Sequence, residues 1–290
     1  LGKFNDVVPI AVEHKMGLLG SATCMMNFGE NDECYGIMLG DLPDEKGKSK
    51  GLAMMFNMMN ESRIGTGHNA NAQATAAYLF AAQYALNRVQ GYIKGQRVPI
   101  IKHADVRRML MNMKAHTEGI RAMVFKGFYN LDIAENSSDK ARAKECADIA
   151  AILTPIIKCY GSETAVKMEC EAMQVLGGVG YTKEYPVEQY LRDSKVLTIW
   201  EGTSFIQAKD LVGRKMNMEK GEPFKKWMES IKHFITTNKG TSGFEKETAV
   251  LEKAYECAEI IWRLIISWQA NKDEKGELVN IYAIRVLFVF

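Results

Sequence analysis

The sequence predicts a mainly α-helical protein in which long helices, joined by modest loops, pack as a bundle behind a short β-rich unit. Three observations carry the prediction. From Gly51 onward, apolar residues recur at three- and four-residue spacing, the period of a helix face. Residues 1–50 instead hold seven glycines and short apolar runs broken by polar turns. No strand pattern separates the helical stretches that follow.

In chain order, Val7 to Val12 and Ala22 to Phe28 read as strands, and Asp41 to Lys50 as a solvated turn before a helix. The next helix takes its face from Leu52, Met55, Phe56 and Met59, then from Ala74, Ala77, Tyr78, Ala81 and Tyr84, and is expected to reach Gly91. A second runs from His103 to Leu131. A third runs from Ser138 to Val175, opened by Ser138-Asp139, whose side-chain oxygens suit the free N–H groups of a first turn. Shorter helices follow at Val187 to Val196 and Gly202 to Lys215, then a linker at Asn217 to Glu222. Pro223 opens a helix to Thr237, Gly240-Thr241-Ser242-Gly243 breaks it, and Glu245 to Gln269 forms another whose faces around Trp262 and Trp268 need something to pack against. The 17 methionines, clustered at Met54, Met55, Met58 and Met59, read as adaptable core filler.

A chain of 290 residues can bury a large core or hold two domains. Hydrophobic residues at 47% and charged residues at 25% match a globular protein. With 37 Lys and Arg against 35 Asp and Glu, the net charge of +2 gives no field that argues for nucleic acid or an anionic membrane. Cys24, Cys34, Cys146, Cys159, Cys170 and Cys257 form no CxxC pair and have no His at finger-like spacing, so neither a zinc site nor a disulfide framework is indicated and a reducing compartment fits. The apolar stretches Ile260 to Trp268 and Ile281 to Phe290 are too short to span a bilayer, and each carries an Arg. The chain begins at Leu1 and stops inside the apolar run Val286 to Phe290; it is expected to be a piece of a longer protein, from which a targeting signal would be missing.

Three segments have residue types suited to chemistry, and each has a plainer reading beside it. Glu201 follows the run Val196 to Trp200; burial against Trp200 would tune it as a base, whereas the same position lets it merely complement the N-terminus of the next helix. Gly177-Gly178-Val179-Gly180-Tyr181 follows Gln174; bare backbone there could approach a phosphate, or simply end a helix. The long helix carries Asn60-Glu61-Ser62-Arg63 near its start and Arg88 near its end; either Arg suits a phosphate clamp or a surface ion pair. His68 and His103 read as structural or solvated.

Taken together these segments resemble the acyl-CoA dehydrogenase family, in order and at familiar separations over residues 9–215. Gln174 to Tyr181, Glu184-Tyr185-Pro186-Val187-Glu188, Arg192-Asp193-Ser194-Lys195 and Ile199-Trp200-Glu201-Gly202-Thr203-Ser204 are similar to that family's C-terminal signature, and Glu13 to Gly17 with Gly20 to Cys24 resembles the end of its middle β-domain. Arg88-Val89-Gln90-Gly91, Val98 to Ile101, His103 to Leu110 and the helical tail after Met216 look like the larger bacterial-type branch that includes 3-methylmercaptopropionyl-CoA dehydrogenase.

The resemblance implies a C-terminal four-helix bundle at residues 51–216, preceded at 1–50 by a remnant of the middle β-barrel domain and followed at 217–290 by a truncated helical extension. It implies FAD-dependent α,β-dehydrogenation of an acyl-CoA to the trans-2-enoyl-CoA. Glu201 would remove the α proton while its backbone N–H helps hold the thioester oxygen, and the β hydride would pass to flavin. Gln174, Val175, Leu176, Gly177 and Gly178 would contact the FAD of a neighbouring subunit, Thr203, Ser204 and Phe205 would line the flavin, and Arg88 would meet the FAD phosphates. Asn60, Glu61, Ser62, Arg63 and Gly202 would border the acyl-CoA. Arg88-Val89-Gln90-Gly91 stands where the family has Arg-Lys-Thr-Phe-Gly, Trp200 replaces the commoner Tyr, and Phe205 replaces a polar residue. The resemblance further implies a homodimer or homotetramer, an electron-transfer flavoprotein as acceptor, no metal, and a bacterial cytoplasm or a mitochondrial matrix as location. Many family contacts lie outside these 290 residues, which alone are expected to be inactive. An oxidase using oxygen and a non-catalytic scaffold keeping the flavin fold are the competing readings.

Overall fold

The computed structural model describes residues 2–270, 278–279, 282–283 and 285–287. They fall into two compact units, Leu1–Met59 and Asn60–Phe290. In the first, β1 (Val7–Val12) pairs antiparallel with β2 (Cys24–Phe28), and the register slips between Pro9 and Ala11. Pro9 has no N–H to give to a ladder, so a bulge is the tolerated outcome. Asp6 anchors the loop after β2: its carboxylate accepts from the Asn31 N–H at 2.6 Å, Asn31 Nδ2 at 3.0 Å and the Glu33 N–H at 3.3 Å. These bonds, the Asn31 backbone N–H foremost, hold the Asp6 carboxyl below its ordinary range.

The helix α1 (Gly51–Asn87) begins in this unit. The side chains of Leu52 and Phe56, which the sequence placed on its face, lie outside the described residues. The methionines divide: Met109, Met113, Met168, Met216 and Met228 are buried core filler as expected, whereas Met54, Met55 and Met58 are 48%, 42% and 63% exposed. A two-stranded sheet and its loops offer too little surface to cover a helix on all sides.

The second unit is helical, as the periodicity predicts. It continues α1 and adds α2 (Ala104–Asn136), α3 (Lys140–Leu176), α4 (Val187–Lys195), α5 (Ser204–Gly213), α6 (Glu222–Asn238) and α7 (Glu245–Ala270). Ala70, Ala74, Ala77, Ala81 and Ala85 of α1 are fully buried at three- and four-residue spacing and pack with Met109, Leu110 and Met113 of α2 and Ala165, Met168 and Ala172 of α3. Such a small-residue stripe lets long helices approach closely. The approach is tightest at Gly67, where a Cβ would lie 2.5 Å from Ile157 Cγ2 and 2.9 Å from the Ile157 carbonyl oxygen. Asp139 caps α3 as the sequence suggests, its Oδ1 accepting from the Ala141 and Arg142 N–H groups at 3.0 and 3.2 Å.

One element contradicts the sequence reading. The long helix stops at Asn87, and β3 (Val89–Ile93) and β4 (Gln96–Pro99) form an antiparallel hairpin before α2. Its turn is Lys94-Gly95, both left-handed at φ +50 and +78, as a two-residue hairpin requires. Strands this short, with a register break between Val89 and Tyr92, carry no readable alternation.

The chain turns sharply at Met218 to Lys220, where Glu219 and Lys220 have φ +46 and +61, and enters α6 with Pro223 in its first turn. Trp262 of α7 packs on Phe224 at 5.2 Å between ring centroids, and Gln269 Nε2 donates to the Val212 carbonyl at 2.8 Å. The apolar faces of α7 thus find their cover in the same core, together with Val279, Ala283, Val286 and Leu287. Among the described residues no helix is long and apolar enough to cross a membrane.

Candidate active site

Two groups of residues in the second unit gather the polar chemistry the sequence singled out. The first is the turn between α4 and α5. A short 3-10 turn at Val196–Thr198 continues α4, Glu201 and Gly202 then take left-handed conformations at φ +54 and +92, and Thr203 precedes α5. A non-glycine residue in that region costs on the order of 1–3 kcal/mol and persists only where its surroundings over-determine it. Here three side chains do so. Arg63 Nε donates to the Glu201 carbonyl at 3.1 Å, Gln207 Nε2 to the Glu201 and Gly202 carbonyls at 3.0 Å each, and Lys158 Nζ to the Gly202 carbonyl at 2.7 Å.

Because a trans peptide sets C=O and N–H on opposite sides, pinning both carbonyls onto these donors turns the N–H groups of Gly202 and Thr203 away from them. Among the described residues the N–H groups of Glu201, Gly202 and Thr203 donate to no acceptor. The Glu201 carboxylate is half-buried and likewise makes no hydrogen bond or ion pair among them. Neither reading of Glu201 from spacing describes it fully: it does not bond the N–H groups that open α5, and Trp200, at 43% exposed, does not seal it. An unengaged carboxylate beside unengaged N–H groups can take a proton and hold a carbonyl oxygen in one place.

The base of this turn is strongly charged. Arg63 is buried, not surface-paired, and meets Asp210 at 3.0 Å; Asp210 also accepts from Arg214 at 2.6 Å. Burial, helped by the nearby Arg63 charge, lowers the Lys158 ammonium to about 8 against the opposing pull of Cys159, Glu163 and Glu201. Burial likewise lowers Lys215 and raises the Cys159 thiol to about 11. Ser204 is buried and donates to Glu163 Oε1 at 2.5 Å, while Thr203 and Phe205 are exposed, with Lys209 Nζ 5.8 Å from the Phe205 ring centroid. On α1, Asn60 and Ser62 are half-buried and Glu61 is exposed, so only Arg63 of that quartet reaches the turn by a hydrogen bond. His68 sits edge-on to Phe128 at 6.1 Å, a structural contact.

The second group lines a cleft of about 390 Å³ where the end of α1, the β3–β4 hairpin, the start of α2 and the end of α3 meet. Arg88, Val175, Leu176 and Gly177 share it, so residues nearly ninety positions apart converge. Gly177, at φ +68, ends α3 by returning its N–H to the Gln174 and Met173 carbonyls, and a Cβ added at Gly177 or Gly178 would meet nothing within 4 Å. Gln174 is exposed beside them. Arg88 is exposed, and among the described residues its guanidinium bonds only Gln90 Oε1, at 3.4 Å. Tyr84, Gln90 and His103 complete the wall. His103 holds the hairpin by a 2.8 Å bond to the Gln90 carbonyl, and a Cβ on Gly91 would sit 2.9 Å from its ring. The sequence read Tyr84 as helix face and His103 as structural or solvated, and did not place Tyr84, Gln90 and His103 at one site, because the hairpin that gathers them was not visible; the Lys94-Gly95 dipeptide was the available signal.

The profile of the acyl-CoA dehydrogenase C-terminal domain matches residues 49–216. The chain belongs to the acyl-CoA dehydrogenase family. Within the family it is 42% identical to a butyryl-CoA dehydrogenase of Syntrophomonas wolfei, over 99% of this chain and 47% of that protein. It is 38% identical to the 3-methylmercaptopropionyl-CoA dehydrogenase of Ruegeria pomeroyi, over 78% of this chain and 38% of that one. The chain therefore spans less than half the length of these relatives. The family fold is matched in Caenorhabditis elegans ACDH-11 in complex with C11-CoA, with a TM-score of 0.76 at 23% identity over 99% of this chain and 45% of that one. It is matched again in a Bacillus anthracis acyl-CoA dehydrogenase complexed with FAD, with a TM-score of 0.74 at 20% identity over 98% of this chain and 48% of that one.

Proposed function

We propose that the protein carrying this chain is an FAD-dependent acyl-CoA dehydrogenase that converts an acyl-CoA thioester to the trans-2-enoyl-CoA. The observation that carries the reading is the Glu201 turn, a carboxylate and backbone N–H groups free of internal partners on a backbone fixed by three buried donors. Glu201 removes the α proton, and its own N–H steadies the thioester oxygen as charge builds there, which is where a preorganised donor is worth most. Gly202 and the α1 residues Asn60, Glu61, Ser62 and Arg63 border the substrate. Relatives are named for butyryl and 3-methylmercaptopropionyl thioesters and for broad specificity toward linear acyl-CoAs, which supports an unbranched acyl chain.

The residues of the cleft suit a dinucleotide. Gly177 and Gly178 leave bare backbone for a phosphate to approach, and the exposed Arg88 guanidinium supplies the opposite charge. Gln174, Val175, Leu176, Gly177, Gly178 and Arg88 would hold the FAD of a neighbouring subunit, and Thr203, Ser204 and Phe205 would line the ring on their own side. When bound, FAD supplies the acceptor for the β hydride. The residues of the turn and the cleft themselves bind, orient or move a proton. In the proposed organisation residues 1–50 close the middle β-domain, 51–216 form the C-terminal bundle and 217–290 extend it. The enzyme is a homo-oligomer and passes its electrons to an electron-transfer flavoprotein.

The test is the visible spectrum of the whole protein, purified and titrated anaerobically with straight-chain acyl-CoAs. The proposal expects a flavin band that bleaches with at least one of them, and the best of them names the chain length. Bound flavin that no acyl-CoA reduces would favour a non-catalytic relative, and absence of flavin would remove the mechanism.

A further inference from the structure

Lys158 lies in the middle of α3 with no exposed surface, flanked by Ile157 and Cys159, which are also fully buried. A lysine so placed is rare, since a buried ammonium gives up its hydration and needs compensation. Among the described residues it has no carboxylate within salt-bridge distance, and its one hydrogen bond is the 2.7 Å bond to the Gly202 carbonyl. A methionine or leucine would serve the core better, so what Lys158 does is done at the turn.

We infer that Lys158 is a positioning residue for the Glu201 turn: its buried ammonium fixes the Gly202 carbonyl, so that the backbone carrying Glu201 stays left-handed. The inference rests on the proposed role of Glu201. The division of labour among the three donors supports it. Arg63 and Gln207 hold the Glu201 carbonyl, Gln207 and Lys158 hold the Gly202 carbonyl, and Arg63 is itself committed to Asp210. Lys158 is thus the one cation bonded to the second carbonyl. The charged and titratable groups around it are Arg63 from α1, Cys159 and Glu163 from its own helix, and Glu201 from the turn.

The experiment uses the flavin-loaded whole protein. Wild-type turnover and its loss in Glu201→Gln are measured first; if the wild type turns over no acyl-CoA, the functional reading fails and not this inference. Lys158→Met is then expected to keep its flavin and nearly its KM while kcat falls about 10- to 100-fold, the size of effect that a misplaced catalytic group produces. Lys158→Gln, which removes the charge but keeps a donor for the Gly202 carbonyl, should recover part of that kcat loss at nearly unchanged KM. A purely structural lysine would show no such split between kcat and KM and no such rescue. A kcat within about twofold of wild type in flavin-retaining Lys158→Met overturns the inference, and loss of flavin from both variants assigns Lys158 to the fold alone and overturns it equally.

Discussion

Glu169 of α3 has no exposed surface, and a hydroxyl bonds its carboxyl. Ser194 Oγ lies 2.5 Å from Glu169 Oε1 and 3.0 Å from Gln73 Oε1. Ser194 donates to Oε1, while Glu169 Oε2 is buried without a partner among the described residues. Burial, with the nearby Asp193 charge adding to it, pushes Glu169 up to about 8 against the opposing Ser194 bond. Its folded pKa is raised, so the stability it confers is complete below its ordinary range near 4.5 and is lost as pH rises toward 8. Across that window one proton makes unfolding free energy fall by at most about 1.4 kcal/mol per pH unit. Urea denaturation at pH 5 and pH 8 should therefore separate the wild type, and Glu169→Gln should abolish this component of the difference. A variant that keeps the full difference would show that Glu169 is not its source. Legibility at this scale is uneven. Glu201 and Gly202 stand in a motif, whereas Lys158, Glu169, Gln207 and Asp210 are lone polar residues in apolar helical patterns, and only helix packing reveals their partners.

Among the elements, the long helices were readable to within a few residues because a buried face repeats for many turns, and Asp139 and Gly177 mark both ends of α3 by elementary capping chemistry. The hairpin was not readable, because a four-residue strand has no room to show a period. Nor does a sequence distinguish a glycine that ends a helix from one that lets two helices touch. Gly67 is of the second kind, in mid-helix against the Ile157 backbone, with Gly161 packed on it at 3.4 Å from a would-be Cβ. Gly67→Ala should gain about 1 kcal/mol of helix propensity and still destabilise the fold by about 1–3 kcal/mol net, because the methyl meets a carbonyl oxygen that cannot move without moving α3. Chemical denaturation checks this. Gly213, where an added Cβ meets nothing within 4 Å, is the control and should tolerate Ala.

At the scale of the whole molecule, α3 joins the two parts of the proposed site. Its C-terminal end, Val175 to Gly177, walls the cleft, while Lys158 near its middle supports the Glu201 turn. The core that buries its faces continues through α6 and α7 to Leu287, so the extension is built into the same hydrophobic interior as the support of the turn. The near-neutral composition made a nucleic-acid partner unattractive from the outset, but nothing in composition hinted at a buried cationic cluster, since Arg63, Lys158 and Lys215 vanish into a balanced total. The central claim is that this cluster exists to present Glu201 as a base. It is tested most directly by rapid mixing of the flavin-loaded Glu201→Gln protein with the acyl-CoA that best bleaches the wild type. Retained flavin with bleaching slowed by at least about a thousandfold is the predicted result, within the range over which removal of a catalytic base is felt; bleaching at the wild-type rate would contradict it.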